Sequence, residues 1–171
     1  MRNFLIVVDM QNDFIDGALG TAEAVGIVDN VRHTIDSFDG EVIFTRDTHT
    51  DSYMQTREGK YLPVLHCIKD TYGWQITDAL DTVGRKIFDK VTFGSPELAE
   101  HLAAEDKVDP IGSVTLVGLC TDICVISNAM LIKARLPEID VNIKASACAG
   151  VTPDSHANAL SAMRMCQINI I

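Results

Sequence analysis

Two cysteines, Cys120 and Cys124, lie four positions apart in the stretch "VGLCTDICV", where an apolar run is followed by a segment with helical periodicity. Two thiols at this spacing supply only half of the four ligands of a structural zinc site. A disulfide is not expected, because the five cysteines are an odd number scattered through an apolar chain. The remaining chemistry is nucleophilic attack by Cys124, since the first turn of the predicted helix favours a thiolate. The pattern equally allows Cys124 to be a small buried core residue.

Two charged residues elsewhere in the chain have the chemistry to support such a nucleophile. Asp9 follows the apolar run "NFLIVV", and Lys90 ends the run "KIFDK". A carboxylate can take the proton of a thiol and return it to a leaving group, and a nearby ammonium favours the thiolate. We therefore predict Asp9 as the proton carrier and Lys90 as the cation beside Cys124. Taken alone, an acid after a strand is often a turn residue and a lysine is usually solvated.

A second candidate site lies in the stretch "RDTHTDSYMQTREGKYLPVLHC", residues 46 to 67. It contains carboxylate and imidazole donors that suit zinc, manganese or iron, namely Asp47, His49, Glu58 and His66. We predict a divalent metal at these residues, with zinc as the first choice and manganese or iron as alternatives. The spacing alone also fits a polar surface loop.

Short runs rich in valine and isoleucine recur between longer stretches of helical periodicity. Runs that are apolar throughout suit strands buried on both faces, and their alternation with helices predicts a doubly wound parallel sheet. Two helix starts are recognisable, since Ser95-Pro96 and Thr152-Pro153 each place an N-cap residue before a proline. The helix that carries Cys124 is predicted to have Thr121 or Asp122 as its N-cap. The predicted strands are "NFLIVVD", "EVIFTRD", "RKIFDKV", "SVTLVGL", "DVNIKAS" and "QINII".

Several of the candidate residues come at or just after the end of a predicted strand. Asp9 ends the first run, Asp47 ends the second, Lys90 ends the third and Cys124 follows the fourth. In an open parallel sheet, ligands bind beyond the carboxyl ends of the strands. We therefore expect these side chains to meet at one edge of the sheet.

The composition limits the classes of partner. The chain has 171 residues, 47% of them hydrophobic, and a formal net charge of −10, which predicts one domain over residues 1–171. The negative charge would repel nucleic acid and anionic membranes, so neither is expected as a partner. The first apolar run, Phe4 to Val8, is too short for a signal-peptide core or a membrane span, which predicts a cytoplasmic protein.

Three motifs resemble the signatures of the isochorismatase-like cysteine hydrolase superfamily, which includes the nicotinamidase/pyrazinamidase-type amidases: "DMQNDF" from Asp9, "DKVTFGS" around Lys90 and "VGLCTDICV" closing on Cys124. The resemblance spans nearly the whole chain. It implies a three-layer α/β/α fold with a six-stranded parallel sheet of order 3-2-1-4-5-6, and an Asp-Lys-Cys triad. It also implies a homo-oligomer that cleaves a small carboxamide through a thioester, first of all nicotinamide to nicotinate and ammonia. The alternative substrate is another small amide, a carbamoyl compound or an enol ether.

The same resemblance implies unequal roles for the two cysteines. Relatives commonly have alanine at the position of Cys120, preceded by a cis peptide bond, which predicts a cis bond between Leu119 and Cys120. Such a bond would turn the backbone amide of Cys120 toward the site, where it would form an oxyanion hole with the amide of Cys124. Cys120 would then act through its amide and Cys124 through its sulfur.

The loop of residues 46 to 67 resembles the metal loop of nicotinamidases, in which Asp, His and a later His before Cys are joined by a third His or a Glu. Asp47, His49 and His66 match three of these positions. The fourth ligand is Glu58 or Gln55, and we favour Glu58. Isochorismatases proper lack this loop, so its presence favours an amidase.

The resemblance also implies an aromatic wall for the substrate ring. Phe14 matches a family aromatic that packs on the ring. Relatives often carry Trp where this chain has Pro63, so Phe93 or Tyr53 is the candidate that completes the wall. The single tryptophan, Trp74, and His156 near the C-terminus are predicted to be structural.

Overall fold

The six apolar runs all form strands in the computed structural model, which describes residues 1–171. These strands are β1 (Arg2–Val8), β2 (Glu41–Asp47), β3 (Lys86–Lys90), β4 (Ile111–Leu119), β5 (Asp140–Ala149) and β6 (Asn169–Ile170). All neighbours pair in parallel, in the order β3-β2-β1-β4-β5-β6. The predicted sheet and its strand order are confirmed, and β1 and β4 are neighbours where the order reverses.

Helices cover both faces of the sheet. They are α1 (Asn12–Ile15), α2 (Ala22–Ser37), α3 (Arg57–Tyr61), α4 (Pro96–Val108), α5 (Ile126–Arg135) and α6 (Pro153–Met165). Alternate residues of β1 enter two separate apolar clusters: Phe4 and Ile6 pack with α4, α5 and α6, whereas Leu5 and Val7 pack with α1 and α2. The alternation produces the predicted three layers, α/β/α. None of the helices has both the length and the apolar character needed to cross a membrane.

The two helix starts predicted at prolines are confirmed. The hydroxyl of Ser95 accepts a hydrogen bond from the amide of Leu98, and Thr152 accepts one from the amide of Ser155. A proline stands in the first turn of each helix, where its missing N–H costs no hydrogen bond.

The cap predicted for the segment after β4 is wrong. The chain there forms a π-helical turn, Thr121–Val125, which has no side-chain cap and leads directly into α5. Thr121 Oγ1 instead shares a hydrogen bond of 2.8 Å with His156 Nδ1. The carboxylate of Asp122 accepts a hydrogen bond from the amide of Val151 at 3.1 Å. Both side chains therefore fix the turn to the chain around the start of α6.

A glycine allows β1 and β4 to approach closely next to this turn. Gly118 pairs with Val8 and has a φ of +113°, a conformation that favours glycine. A Cβ atom at this position would collide with the carbonyl oxygen of Val8. The two strand ends that carry Asp9 and Cys120 are thereby held side by side.

Candidate active site

The polar residues predicted at the strand ends meet at the carboxyl edge of the sheet. Lys90 Nζ lies 2.7 Å from Asp9 Oδ2, 3.5 Å from Cys124 Sγ and 3.3 Å from Asp47 Oδ1. Lys90, Asp9, Cys124 and Asp47 are all buried. Although β3 is the edge strand, its last side chain crosses the end of β2 and reaches β1. One ammonium therefore contacts two carboxylates and the thiol.

The protonation of these groups depends on their burial. Burial raises the pKa of the Cys124 thiol well above its usual value, the charge of Asp9 raises it further, and Lys90 opposes both. Burial also raises the pKa of Asp9, against the lowering effect of Lys90. Burial lowers the pKa of Lys90, but Asp9, Cys124 and Asp47 outweigh it, so that this pKa is raised. Burial thus favours a neutral thiol, and the neighbouring carboxylates favour a charged Lys90.

This protonation state corrects the expectation that the helix start would favour a resting thiolate. Cys124 lies inside the π-helical turn and is buried, so the loss of hydration outweighs any effect of the helix dipole. Formation of the nucleophile therefore needs a proton acceptor. Asp9, joined to Cys124 through their shared partner Lys90, is the carboxylate in position for this role.

The backbone before the nucleophile has the predicted conformation. The peptide bond between Leu119 and Cys120 is cis. Cys120 is half-buried, and its side chain lines the same cavity as Cys124. The oxyanion hole formed by the two amides remains a prediction.

A buried asparagine that the sequence reasoning missed holds the nucleophile turn in place. Asn128 Nδ2 donates to the carbonyl of Cys124 at 2.8 Å and to that of Phe93 at 3.2 Å, and its Oδ1 accepts from the amide of Ser95 at 2.9 Å. The signal available in the sequence was an amide one helical turn after Cys124, on the otherwise apolar buried face of α5. Asn128 thus connects the turn to the segment that follows Lys90.

The four predicted metal ligands converge near Lys90. One donor atom from each of Asp47, His49, Glu58 and His66 lies within 4.8 Å of the others. His49 Nε2 is 2.9 Å from Asp47 Oδ2 and 3.6 Å from Glu58 Oε1, and His66 Nε2 is 3.8 Å from the same Glu58 oxygen. The alternative fourth ligand, Gln55, has an exposed side chain in the short 3₁₀ helix Tyr53–Gln55.

Hydrogen bonding in this cluster fits a divalent cation. The Nδ1 of His66 is 2.8 Å from the carbonyl of Val64, which can only accept, so Nδ1 carries the proton and Nε2 presents a lone pair. His49 Nε2 is buried and has no hydrogen bond of acceptable geometry, although it lies close to Asp47. Two imidazoles and two carboxylates suit zinc, manganese or iron.

Two residues support this cluster from behind. Gln11, which the sequence reasoning passed over, donates from Nε2 to the carbonyl of Asp47 at 2.8 Å and accepts at Oε1 from the Asp47 amide at 2.7 Å. Tyr53 is buried, its ring centroid lies 4.6 Å from that of His49 and 4.9 Å from that of His66, and its hydroxyl donates to Leu62. Tyr53 is therefore not part of the substrate wall, because it packs against the ligands.

A cavity of about 240 Å³ adjoins both the thiol and the cluster. Its polar lining comes from Asp47, Glu58, His66, Thr21 and the two cysteines, and its apolar lining from Phe14, Phe93, Leu19, Leu62, Ile123 and Val151. Phe14 lies 5.6 Å from the ring of His66, between centroids. Since an apolar cavity of about 150 Å³ holds benzene, this one has room for a single aromatic ring and its carboxamide.

The two side chains predicted to be structural lie outside this cavity. Trp74 Nε1 donates to Thr48 at 2.9 Å, and the guanidinium of Arg46 stacks 3.5 Å from its ring. The ring of His156 is engaged by Thr121. Pro63 does not line the cavity, whereas the neighbouring Leu62 does.

Known proteins are similar to this chain in sequence and fold over nearly their whole length. The curated nicotinamidase/pyrazinamidase of Mycobacterium tuberculosis is 27% identical over 184 residues, which cover 98% of this chain and 97% of the relative. The crystal structure of the pyrazinamidase of Pyrococcus horikoshii in complex with zinc superposes with a TM-score of 0.85 at 27% identity and covers 100% and 99% of the two chains. The N-carbamoylsarcosine amidase of Thermoplasma acidophilum gives a TM-score of 0.80 at 26% identity, with 99% and 95% covered.

The sequence pattern of the isochorismatase domain matches residues 3–171. This match includes the strand ends, the loop of residues 46 to 67 and the π-helical turn. The chain belongs to the isochorismatase domain family of hydrolases.

Proposed function

We propose that this chain is a cysteine-dependent amidohydrolase that cleaves the C–N bond of a small aromatic carboxamide, with nicotinamide as the first candidate. The observation that carries the proposal is the position of Lys90, whose Nζ contacts Asp9 and Cys124 beside a cluster of four metal donors. The cavity next to these groups accommodates one ring. Similarity to nicotinamidases and pyrazinamidases supports this substrate class.

In the first half of the reaction, Asp9 takes the proton from Cys124, and the thiolate attacks the carbonyl carbon of the amide. Lys90 stays charged and stabilises both the thiolate and Asp9. The amides of Cys120 and Cys124 donate to the oxyanion of the tetrahedral intermediate. Asp9 then gives its proton to the leaving nitrogen, ammonia departs, and the acyl group remains on sulfur as a thioester.

In the second half, Asp9 takes a proton from a water molecule that attacks the thioester carbonyl. The second tetrahedral intermediate uses the same two amides. It collapses with release of the carboxylic acid, and sulfur leaves with the proton that Asp9 held. The thiol and the charged Asp9 are thereby restored, so the cycle balances without a redox partner.

Asp47, His49, Glu58 and His66 are the residues that would hold the metal. A divalent cation there supplies a Lewis-acidic position for the ring nitrogen of a pyridine or pyrazine carboxamide. Phe14, on the wall of the cavity near His66, positions the ring face. These residues orient the substrate, whereas Asp9 and Cys124 carry out the bond changes.

The test is ammonia release from nicotinamide by the purified protein and by two cysteine variants. We expect Cys124→Ala to lose activity to the background level, because no other thiol replaces the nucleophile. Cys120→Ala should keep most of it, because a backbone amide survives the substitution. Equal activity of Cys124→Ala and the unmodified protein would remove Cys124 from the mechanism.

A second candidate function keeps the same triad and changes the substrate to a carbamoyl compound or another small amide. It is favoured by the similarity to N-carbamoylsarcosine amidase, whose 26% identity is close to the 27% of the curated nicotinamidase/pyrazinamidase. A further alternative substrate is an enol ether, in which a C–O bond would be cleaved in place of the C–N bond. Activity on carbamoyl compounds that survives complete metal removal, with none on nicotinamide, would favour this function.

We also propose that the enzyme acts as a homo-oligomer in the cytoplasm. The oligomer is supported by the family resemblance alone, and the location by the five cysteines, all of which are free thiols. Light scattering on the purified protein and fractionation of the cells that express it measure these two properties directly.

A further inference from the structure

A second, larger space adjoins the reaction cavity. It has a volume of about 620 Å³, against about 240 Å³ for the cavity that holds the thiol. We call it the outer groove, defined by the residues that line it and not the reaction cavity, namely His49, Thr56, Arg57, Tyr61, Val91 and Thr92. The two spaces share four lining residues, Glu58, Leu62, Phe93 and Ile123. The outer groove is thus a continuation of the reaction cavity.

The partition between the two spaces is open to solvent. Leu62 is 38% exposed and Phe93 is 42% exposed, although both are large apolar side chains. Within residues 62–66, only Leu62 and His66 line the reaction cavity. No bulky aromatic side chain from this segment therefore separates the reaction cavity from the outer groove. A substrate longer than one ring can therefore extend past Leu62 and Phe93.

One unpaired cation lies in the outer groove. Five of the seven arginines form ion pairs with carboxylates, and Arg57 does not. Its guanidinium lies 5.2 Å from the ring centroid of Tyr61, and Nη2 is 3.4 Å from the Tyr61 hydroxyl. Arg57 and Arg164 are the two arginines without an acidic partner, and only Arg57 lines a cavity next to the candidate site.

The outer groove contains a single acidic residue, Glu58, and its carboxylate is turned toward the histidines of the metal cluster. Glu58 Oε1 points to His49 and His66, at 3.6 and 3.8 Å. The side of the groove that faces solvent therefore presents Arg57, Tyr61 and the threonines without a competing carboxylate. A planar guanidinium binds carboxylates with two parallel hydrogen bonds.

We propose that the outer groove is a second substrate subsite, in which Arg57 binds an acidic group carried on a short arm of the carboxamide substrate. The preferred substrate is then an aromatic carboxamide with a carboxylate substituent, and the bare ring of nicotinamide fills only the reaction cavity. This inference rests on the proposed amidase function and adds the substrate class.

Matched substrate pairs test the subsite. The probes are nicotinamides with a carboxymethoxy arm on ring carbon 4, 5 or 6, each compared with its neutral methyl ester. The unmodified enzyme should prefer the acid over its ester by about fivefold in kcat/KM for at least one position, since Arg57 is exposed and a solvated ion pair is worth up to about 1 kcal/mol.

Arg57→Gln should abolish this preference, and Arg57→Lys should keep part of it. Arg164→Gln is the matched control, because Arg164 also has no ion pair but lies in the last turn of α6, at the opposite edge of the sheet. It should leave the ratio unchanged. A ratio of one in the unmodified enzyme at every position, or the same ratio in Arg57→Gln, overturns the proposal.

Nicotinamide itself separates failure of the subsite from failure of the amidase function. If nicotinamide is hydrolysed and no acid is preferred, the subsite is wrong and the amidase function stands. If no amide is hydrolysed, the corresponding aromatic acids are assayed for protection of Cys124 against iodoacetamide, with labelling measured on the Cys124 peptide. Stronger protection by the acid with a carboxylate arm than by its ester, lost in Arg57→Gln, supports the subsite; equal protection overturns it.

Discussion

The candidate triad and the metal cluster adjoin one cavity but are built in different ways. Asp9 and Lys90 come directly after or at the end of strands β1 and β3, and Cys124 comes from the turn after β4. Three of the four cluster residues, His49, Glu58 and His66, come instead from the single connection between β2 and β3, with Glu58 in the short helix α3, and only Asp47 belongs to a strand. The triad is therefore positioned by strand pairing, and the cluster by contacts within and beneath a loop.

The supporting contacts follow the same division. The loop is held by one backbone bridge, between His49 and Ile68, and by side chains, among them Gln11 below Asp47 and Asp13, whose Oδ2 accepts from the amide of Cys67 at 2.7 Å. The triad is held by the backbone register of β1, β2 and β3 and by the mutual attraction of its own charges. We therefore expect triad substitutions to affect folding and chemistry together, and loop substitutions to affect metal affinity with a smaller change in fold stability.

The largest effect is expected for Lys90→Met. The substitution removes the ammonium that lies 2.7 Å from Asp9 and 3.3 Å from Asp47, so two buried carboxylates lose the cation that they share. Breaking a buried ion pair costs about 3 kcal/mol or more. Chemical denaturation of the metal-free protein should show this loss, together with loss of amide hydrolysis. Lys86→Met, on an exposed position of the same strand, should change the unfolding free energy by less than about 0.5 kcal/mol. Equal stability of the two variants would contradict the central role of Lys90.

The next effect concerns the loop and is expected for His66→Ala. The Nε2 of His66 is one of the four donor atoms of the cluster, and this substitution removes it. The zinc affinity should therefore fall by at least about 100-fold. Competition with a chromophoric chelator measures this without any assay of activity. His33→Ala, an exposed histidine on α2, is the control and should bind zinc as tightly as the unmodified protein. Unchanged affinity in His66→Ala would show that the metal binds elsewhere.

The positions of residues at the ends of strands could be predicted from the sequence. The six strands and their order place Asp9, Lys90 and Cys124 at one edge, and the motifs specify the cis bond before Cys120. Glu58 was distinguished from Gln55 by resemblance, and the loop conformation turns Glu58 inward. The strand ends are read from the apolar runs along the chain, whereas the strand order, the cis bond and the choice of Glu58 rest on the family resemblance.

Other features depend on contacts between distant segments, and the sequence reasoning missed them. Thr121 and Asp122 are good N-cap residues, but they find partners at His156 and Val151, which lie about 30 residues later. Tyr53 was a candidate for the substrate wall because it is aromatic, but its ring is buried against His49 and His66. The raised pKa of Cys124 follows from full burial, which a position near a helix start does not reveal.

A pair of supporting substitutions sharpens the comparison between the two regions. Gln11→Leu removes both hydrogen bonds to the backbone of Asp47, so zinc affinity should fall by about tenfold. Asn128→Leu removes the hydrogen bond to the carbonyl of Cys124, so kcat should fall by about tenfold while zinc affinity stays the same. Zinc competition and steady-state kinetics on both variants provide the two readouts. Loss of zinc affinity in Asn128→Leu would show that the two regions are not independent.

The smallest effect is expected where the two regions meet, at the substrate wall. Phe14→Leu keeps an apolar side chain but removes the ring that lies 5.6 Å from His66. An aromatic contact is worth about 0.5–1.5 kcal/mol, so KM for nicotinamide should rise by about threefold to tenfold. The value of kcat and the zinc affinity should not change, because neither the triad nor a ligand is altered. Phe38→Leu, at the end of α2 away from the cavity, is the matched control and should leave KM unchanged. A fall in kcat with constant KM would instead assign Phe14 to the positioning of the triad.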